Sequence, residues 1–580
     1  MPSQLNPPAS SSLSISKPQT FDAWIGRPDM IFRAGMVLIV ALYLRTILFD
    51  FVYDDLTIPL SPWIQSWHGM IDVFKHGIFA VGAQAASSYY RPLATAFIVL
   101  VARATPGTPG WFHLAALIIE LVVYVLSYSF GRLFFEDDRL AALTAVLFAL
   151  HPTKVETIAW IGSSGCDGQA AIYFFAVLIC YLKWWKSRKP AWMLASVVSF
   201  AAAMFTKETM VVLPLLVATH YFLVSARGKK WSTASVVSPY AVVLALYAIA
   251  RHAVIKPLPQ SSIAVQPILT AVNLWSAPSA TWWYLKQLLF PYRLSILYDW
   301  TPVPGPSLQR FALPLAALLT VALAAAWILW RGRSWRTAFL TVWFVLTLAP
   351  PILMAPGVTV HDRYLQLPSY SFCALIAYCL LWTTMKRPQW RAATVAVTLL
   401  IVAAWSVGSW HESGYWDNSV TLWSRAVQVA PHNVNARVEL ARLYASNDIP
   451  AAIRVLDDGI RLLPESPGLW RTRGLLQFNA GEYAEARTSL LHALEVSARF
   501  SREANGEPTD VTFGRATAAF FLGQIDFVAG DYGSADRWLR TALDIDPDNP
   551  DYARVMVTNL RKLGQDAEAD RYQKVVESRK

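Results

Sequence analysis

Acidic residues are scarce in the first 411 positions of this 580-residue chain, which hold 15 Asp and Glu against 30 Lys and Arg. Charged residues make up 15% of the whole and hydrophobic residues 55%, where a soluble chain has roughly 25% and 45–50%. That shortage excludes one large soluble enzyme. Cysteine is scarce too. Cys166, Cys180, Cys373 and Cys379 are the four present, and their spacing fits neither a zinc site nor a disulfide framework. They read as small apolar residues in or beside apolar stretches. Residues 1–30 are rich in Ser and Pro and lack the early apolar run of a cleavable signal peptide. They read as a disordered cytosolic tail.

What is present divides in two. Met1 to His411 carries a net charge of +15, whereas Glu412 to Lys580, with 20 basic and 24 acidic residues, carries −4. The expected class is all-α: a polytopic membrane domain over 31–411, then a soluble domain over 412–580. The positive excess lies mostly in loops between apolar runs, a pattern that orients spans and excludes nucleic acid as a partner. A span needs roughly 20 apolar residues, and Ile31–Phe49 is the first of thirteen candidate runs. Basic clusters at Lys183–Lys189, Arg227–Lys230, Arg331–Arg336 and Lys386–Arg391 belong on the cytosolic side. Parity then allows four spans before Lys183. Residues 139–150 are the weakest of those candidates and read as re-entrant or tilted, while 275–290, broken by Pro278 and Pro291, read as interfacial. Eleven spans remain, within two, which puts the C-terminal domain on the outer face.

That domain repeats. Gly481-Glu-Tyr-Ala-Glu-Ala486 recurs as Gly530-Asp-Tyr-Gly-Ser-Ala535 and more loosely as Gly564-Gln-Asp-Ala-Glu-Ala569. A period of about 34 residues with Ala and Gly at close approaches and Pro after the second helix is the tetratricopeptide pattern. Three to four repeats are expected, with a half-repeat at 416–430 and a polar insertion at 498–510. Such arrays bind peptides or proteins through a concave face.

The same bookkeeping puts five polar clusters on the outer face. They are Asp54-Asp55 after the first run, Tyr90-Arg91-Pro92-Leu93, His151-Pro152 through Glu156 and Trp160 to Asp167, Lys207-Glu208, and His361-Asp362-Arg363-Tyr364. Ionisable groups at membrane depth are costly and tend to be functional. Adjacent carboxylates can divide labour, one taking a proton from a hydroxyl and the other orienting a cation. Each cluster alone could be a helix cap or a snorkelling charge; together they read as a site.

Val52-Tyr53-Asp54-Asp55, Tyr90-Arg91-Pro92-Leu93, His151-Pro152 with Glu156 and Trp160, Lys207-Glu208 with Pro214, Phe290-Pro291 with Leu294-Ser295, and Asp362-Arg363-Tyr364 with Pro368-Ser369 occur here in one order. With the trailing repeats, the chain resembles the transmembrane and tetratricopeptide repeat-containing family, glycosyltransferases of the GT-C superfamily related to protein O-mannosyltransferases. It departs from them at Gly162–Asp167, where an Arg usual in the family is absent, leaving the role of Asp167 open. The resemblance implies a hexose, mannose or another, moved from a polyprenyl-phosphate donor to an acceptor hydroxyl, with protein the favoured acceptor. It implies Asp54 as base with Asp55 beside it, and Arg91, Arg363 and Lys207 on the donor phosphate. His151, Glu156, Asp167, Glu208, Asp362 and Tyr364 would support the site. The guanidinium fork suits phosphate oxygens. A divalent cation beside the Asp pair stays open, as no cluster has metal-ligand spacing.

Three other readings compete. A transferase could act on lipid or glycan instead of protein. A membrane scaffold could work through its repeats alone. A transporter would show inverted-repeat symmetry, which is not detected. By analogy the few repeats point to a bacterial inner membrane with the repeats outside; in a eukaryote the bilayer would be the endoplasmic reticulum.

Overall fold

A computed structural model describes residues 27–60, 64, 66–77, 89–225, 232–255, 270–332, 334–353, 360–503 and 509–577. The expected tail falls on residues outside these up to position 26; Pro28 already begins a helix. Among the described residues all regular structure is helical. The membrane part comprises α1 (Pro28–Tyr43), α2 (Pro92–Ala104), α3 (Pro109–Phe135), α4 (Asp138–Leu150), α5 (Gln169–Ser187), α6 (Pro190–Thr206) and α7 (Leu213–Ser225). It continues with α8 (Thr233–Val254), α9 (Ala271–Leu289), α10 (Leu313–Gly332), α11 (Trp335–Leu353), α12 (Pro368–Lys386) and α13 (Arg391–Ser413). Among the described residues, eight helical stretches are long and apolar enough to cross a bilayer. Their core is aromatic: Trp343 stacks on Tyr370, and Phe130, Phe174 and Phe175 pack around the pair.

Two ends can be told apart by charge. At one, Glu136, in the left-handed backbone region at φ 59°, receives both Lys186 and Arg336 at 2.9 Å. The other holds Asp54, Glu156, Asp167 and Arg363. α4 runs between the ends: its first residue, Asp138, pairs with Arg132 near Glu136, and His151 after its last turn reaches Leu288. α2 does not. Arg91 before it pairs with Glu208, and Val101 near its C-terminus packs with Ile58, Phe112 and Ile161, all at the carboxylate-rich end. α4, expected to be re-entrant or tilted, thus runs from one end of the bundle to the other, and α2 stays at the carboxylate-rich end. The reason is burial. Every residue from Ala141 to Leu150 is enclosed by protein, so this helix of about 20 Å need not match the lipid. α9 has both ends near the carboxylate-rich end, Asn273 beside Ile352 and Leu288 beside His151.

The C-terminal part is a stack of helices: α14 (Ser419–Val429), α15 (Val434–Ala445), α16 (Ile449–Leu462), α17 (Pro467–Asn479), α18 (Tyr483–Glu503), α19 (Thr509–Val528), α20 (Tyr532–Ile545), α21 (Pro550–Lys562) and α22 (Asp566–Glu577). Gly481, Gly530 and Gly564, one at each repeat turn, take φ of 82°, 80° and 71°, a region glycine enters without a Cβ penalty. The expected insertion at 498–510 is largely absorbed into longer α18 and α19, with 504–508 outside the described residues.

Candidate functional site

α1 gives way to a 3-10 turn, Tyr53–Leu60, that presents both aspartates. Tyr53 sits at φ 54°, an uncommon conformation for a bulky residue and a local cost of order 1–3 kcal/mol. The two carboxylates then take different work. Asp55 is 1% exposed and accepts the backbone N–H of Gly162 at 2.8 Å and of Ile161 at 3.1 Å. A Cβ on Gly162 would lie 3.0 Å from the Trp160 indole nitrogen and 3.3 Å from Asp55 Oδ1, so glycine is what admits the carboxylate there. Asp54 is half-buried, and among the described residues nothing donates a hydrogen bond to its carboxylate. Burial pushes its pKa up, and the positive charge of Arg363 pulls it back.

Three cations face three carboxylates. Arg91 pairs with Glu208, Nε to Oε2 at 2.8 Å, and lies 4.4 Å above the Tyr89 ring. Lys207 pairs with Asp167, which also accepts from Ser163 Oγ at 3.3 Å. Arg363 meets Glu156 through Nη1 at 2.5 Å and its backbone N–H at 2.9 Å, held between the faces of Trp160 and Tyr364. Burial raises the Glu156 carboxyl and Arg363 lowers it, while Glu156 holds the Arg363 guanidinium firmly charged. Asp167, Lys207, Arg363 and Tyr364 line one narrow cavity of about 30 Å³. The remaining N–H groups of the Arg363 guanidinium have no acceptor among the described residues.

Two of the expected supporting residues act at a remove. His151 is fully buried; Nε2 lies 3.1 Å from the Leu288 carbonyl and Nδ1 2.8 Å from Thr153 Oγ1, and burial drops its pKa to about 4. It is a neutral fastener of α9. Asp362 accepts from the Tyr298 hydroxyl and from Gln287 Nε2 at 3.2 Å. Burial and the nearby Glu156 push its carboxyl well up, and it anchors the loop after α9. Asp54, Asp55, Arg91, Glu156, Asp167, Lys207, Glu208, Arg363 and Tyr364 come together. Among the described residues, no group of three His, Cys, Asp or Glu is placed to hold a metal ion.

Sequence reasoning missed the aromatic wall. Tyr53 meets Trp160 and Trp423 edge-on at 5.3 and 5.7 Å, and Trp160 stacks on Trp416 at 6.4 Å. Two of these four rings come from beyond position 411, so the boundary drawn there does not separate two bodies. The backbone N–H of Asp50 donates to the Asp417 carbonyl, and Arg425 reaches Glu412 at 2.7 Å and the Leu294 carbonyl at 3.1 Å. His432 pairs with Asp299. Residues 412–432 are built into the carboxylate-rich end. The one available signal was aromatic density around the motifs, with Tyr53 beside the Asp pair and three tryptophans in 410–423.

A family model described as dolichyl-phosphate-mannose-protein mannosyltransferase matches residues 91–255, and a tetratricopeptide repeat model matches 442–502. The chain is 23% identical over 453 residues to the human protein O-mannosyl-transferase TMTC1, covering 69% of this chain and 51% of that one. It is 24% identical over 511 residues to mouse TMTC3, covering 79% and 54%. To human TMTC2 it is 28% identical over 185 residues, covering 29% and 21%. The chain thus spans about half the length, or less, of these curated relatives. In its matched segments it is similar to the transmembrane and tetratricopeptide repeat-containing protein O-mannosyl-transferases.

Proposed function

We propose that this chain is a multi-pass membrane glycosyltransferase that moves a hexose, mannose by likeness to its relatives' names, from a polyprenyl-phosphate donor to a protein hydroxyl. The acceptor oxygen attacks the anomeric carbon as Asp54 takes its proton. The bond from that carbon to the phosphate oxygen breaks, and the lipid phosphate leaves with the electron pair, so the anomeric centre inverts. Arg363, with Lys207 and Arg91, meets the charge on the departing phosphate; oriented cations in a water-poor site stabilise such charge strongly. Asp55 positions the base.

The observation that carries this reading is the placement of Arg363. Its charge acts on Asp54, and its side chain also lines the cavity holding Lys207. Base and cations are therefore neighbours with separate tasks. The basic clusters argue that the carboxylate-rich end faces away from the cytosol. The repeats, joined to that end, would receive the acceptor polypeptide. Membranes containing the chain, given radiolabelled polyprenyl-phosphate mannose, should pass label to protein. Label found only in lipid or free glycan would favour the lipid or glycan transferase reading.

A further inference from the structure

A second cleft lies beside the site. It has a volume of about 460 Å³ and runs between one face of α9, carrying Trp282, Trp283 and Lys286, and the head of α10, carrying Gln309 and Arg310, with Trp300 at its edge. Its charge differs from that of the central site. There each cation faces a carboxylate. Here neither Lys286 nor Arg310 has a carboxylate within ion-pair distance among the described residues, and the Arg310 guanidinium donates there only to the Thr301 carbonyl. The Trp300 indole N–H is buried with no acceptor among the described residues. Unmatched positive charge in a cleft asks for an anion.

The surroundings say which kind. Only 6% of the apolar stretch Leu308–Trp327 is buried in protein, so the α10 wall stands against lipid. Trp283 packs edge-on to Tyr298 at 4.7 Å, and Tyr298 binds Asp362, which sets the cleft at the carboxylate-rich end. Tryptophans with Lys and Arg at that depth form the usual headgroup-level girdle. We infer that this cleft binds the phosphate of an anionic membrane phospholipid, the phosphate between Lys286 and Arg310 and the glycerol against Trp282, Trp283 and Trp300. The inference does not depend on the transferase reading, because none of these side chains belongs to the Asp54 site.

The full chain, purified and exchanged into nanodiscs of equimolar phosphatidylglycerol and phosphatidylcholine, tests it by native mass spectrometry of retained lipid. The expected result is retained phosphatidylglycerol that falls about tenfold in the Lys286→Gln, Arg310→Gln double variant and persists in Lys286→Arg, Arg310→Lys. Millimolar inorganic phosphate should not displace it. Equal retention of both lipids, no loss in the Gln variant with an unchanged melting temperature, loss in both double variants alike, or displacement by inorganic phosphate would each overturn the proposal.

Discussion

Tyr53, next to the free aspartate, stands edge-on to Trp423, the ring centroids 5.7 Å apart. In sequence α2 to α13 lie between them, yet the second ring braces the turn that carries Asp54. The turn needs bracing, because Tyr53 holds a backbone conformation that bulky residues disfavour.

Removing the brace should therefore reach the chemistry. Trp423 is 5% exposed, and Trp→Ala in such a setting costs about 3–5 kcal/mol. Trp423→Ala should lower the melting temperature and the transfer rate together, while Trp423→Phe keeps the edge contact and recovers most of the rate. Thermal unfolding alongside a donor-turnover assay checks this, and equal rates in the Ala and Phe variants would count against bracing.

Truncations divide the C-terminal part by role. Deleting 447–580 leaves α14 and α15 in place and should depress transfer to folded protein acceptors, with transfer to a short peptide retained. Deleting 412–580 removes Trp416, Trp423 and Arg425 and should abolish both. Peptide and protein acceptors assayed side by side give the answer.

The carboxyls of Asp54, Asp55, Glu156 and Asp362 are all pushed up by burial. A carboxyl raised on folding contributes stability that is complete below its unfolded pKa, near ~4, and is lost as pH rises through the folded value. Mild acidification should thus raise the melting temperature while it slows transfer, since the base becomes protonated. Arg363→Gln removes the cation that lowers Asp54, so the acid limb of kcat/KM should move to higher pH. An acid limb at the same pH in this variant would separate Arg363 from the base.

Lys154 and Glu120 pair at 3.1 Å with 0% and 2% of their side chains exposed. Lys154→Met leaves a buried carboxylate alone and should cost about 3–5 kcal/mol, and adding Glu120→Leu should recover most of it. Melting curves of the two variants show whether the loss is the unpaired charge.

The fold class and the repeat period were legible because they rest on local pattern: long apolar runs, and glycine at each repeat turn. The polar clusters were legible as a group because few ionisable residues are spent in the apolar part. Pairing was not. Nothing local says that Arg91 meets Glu208, or that Asp55 turns inward to Ile161 and Gly162 while its neighbour stays free. The course of α4 from end to end was hidden for a similar reason, because hydropathy measures fitness for lipid and α4 is surrounded by protein. The aromatic wall joins 53 and 160 to 416 and 423, a distance no motif spans.

The central claim is that Asp54 is the base and Asp55 its support. Asp54→Asn, expressed in membranes with radiolabelled polyprenyl-phosphate mannose, should lose about 10²–10⁴-fold in transfer with an unchanged melting temperature. Transfer at the wild-type rate by a normally folded Asp54→Asn variant would contradict the account.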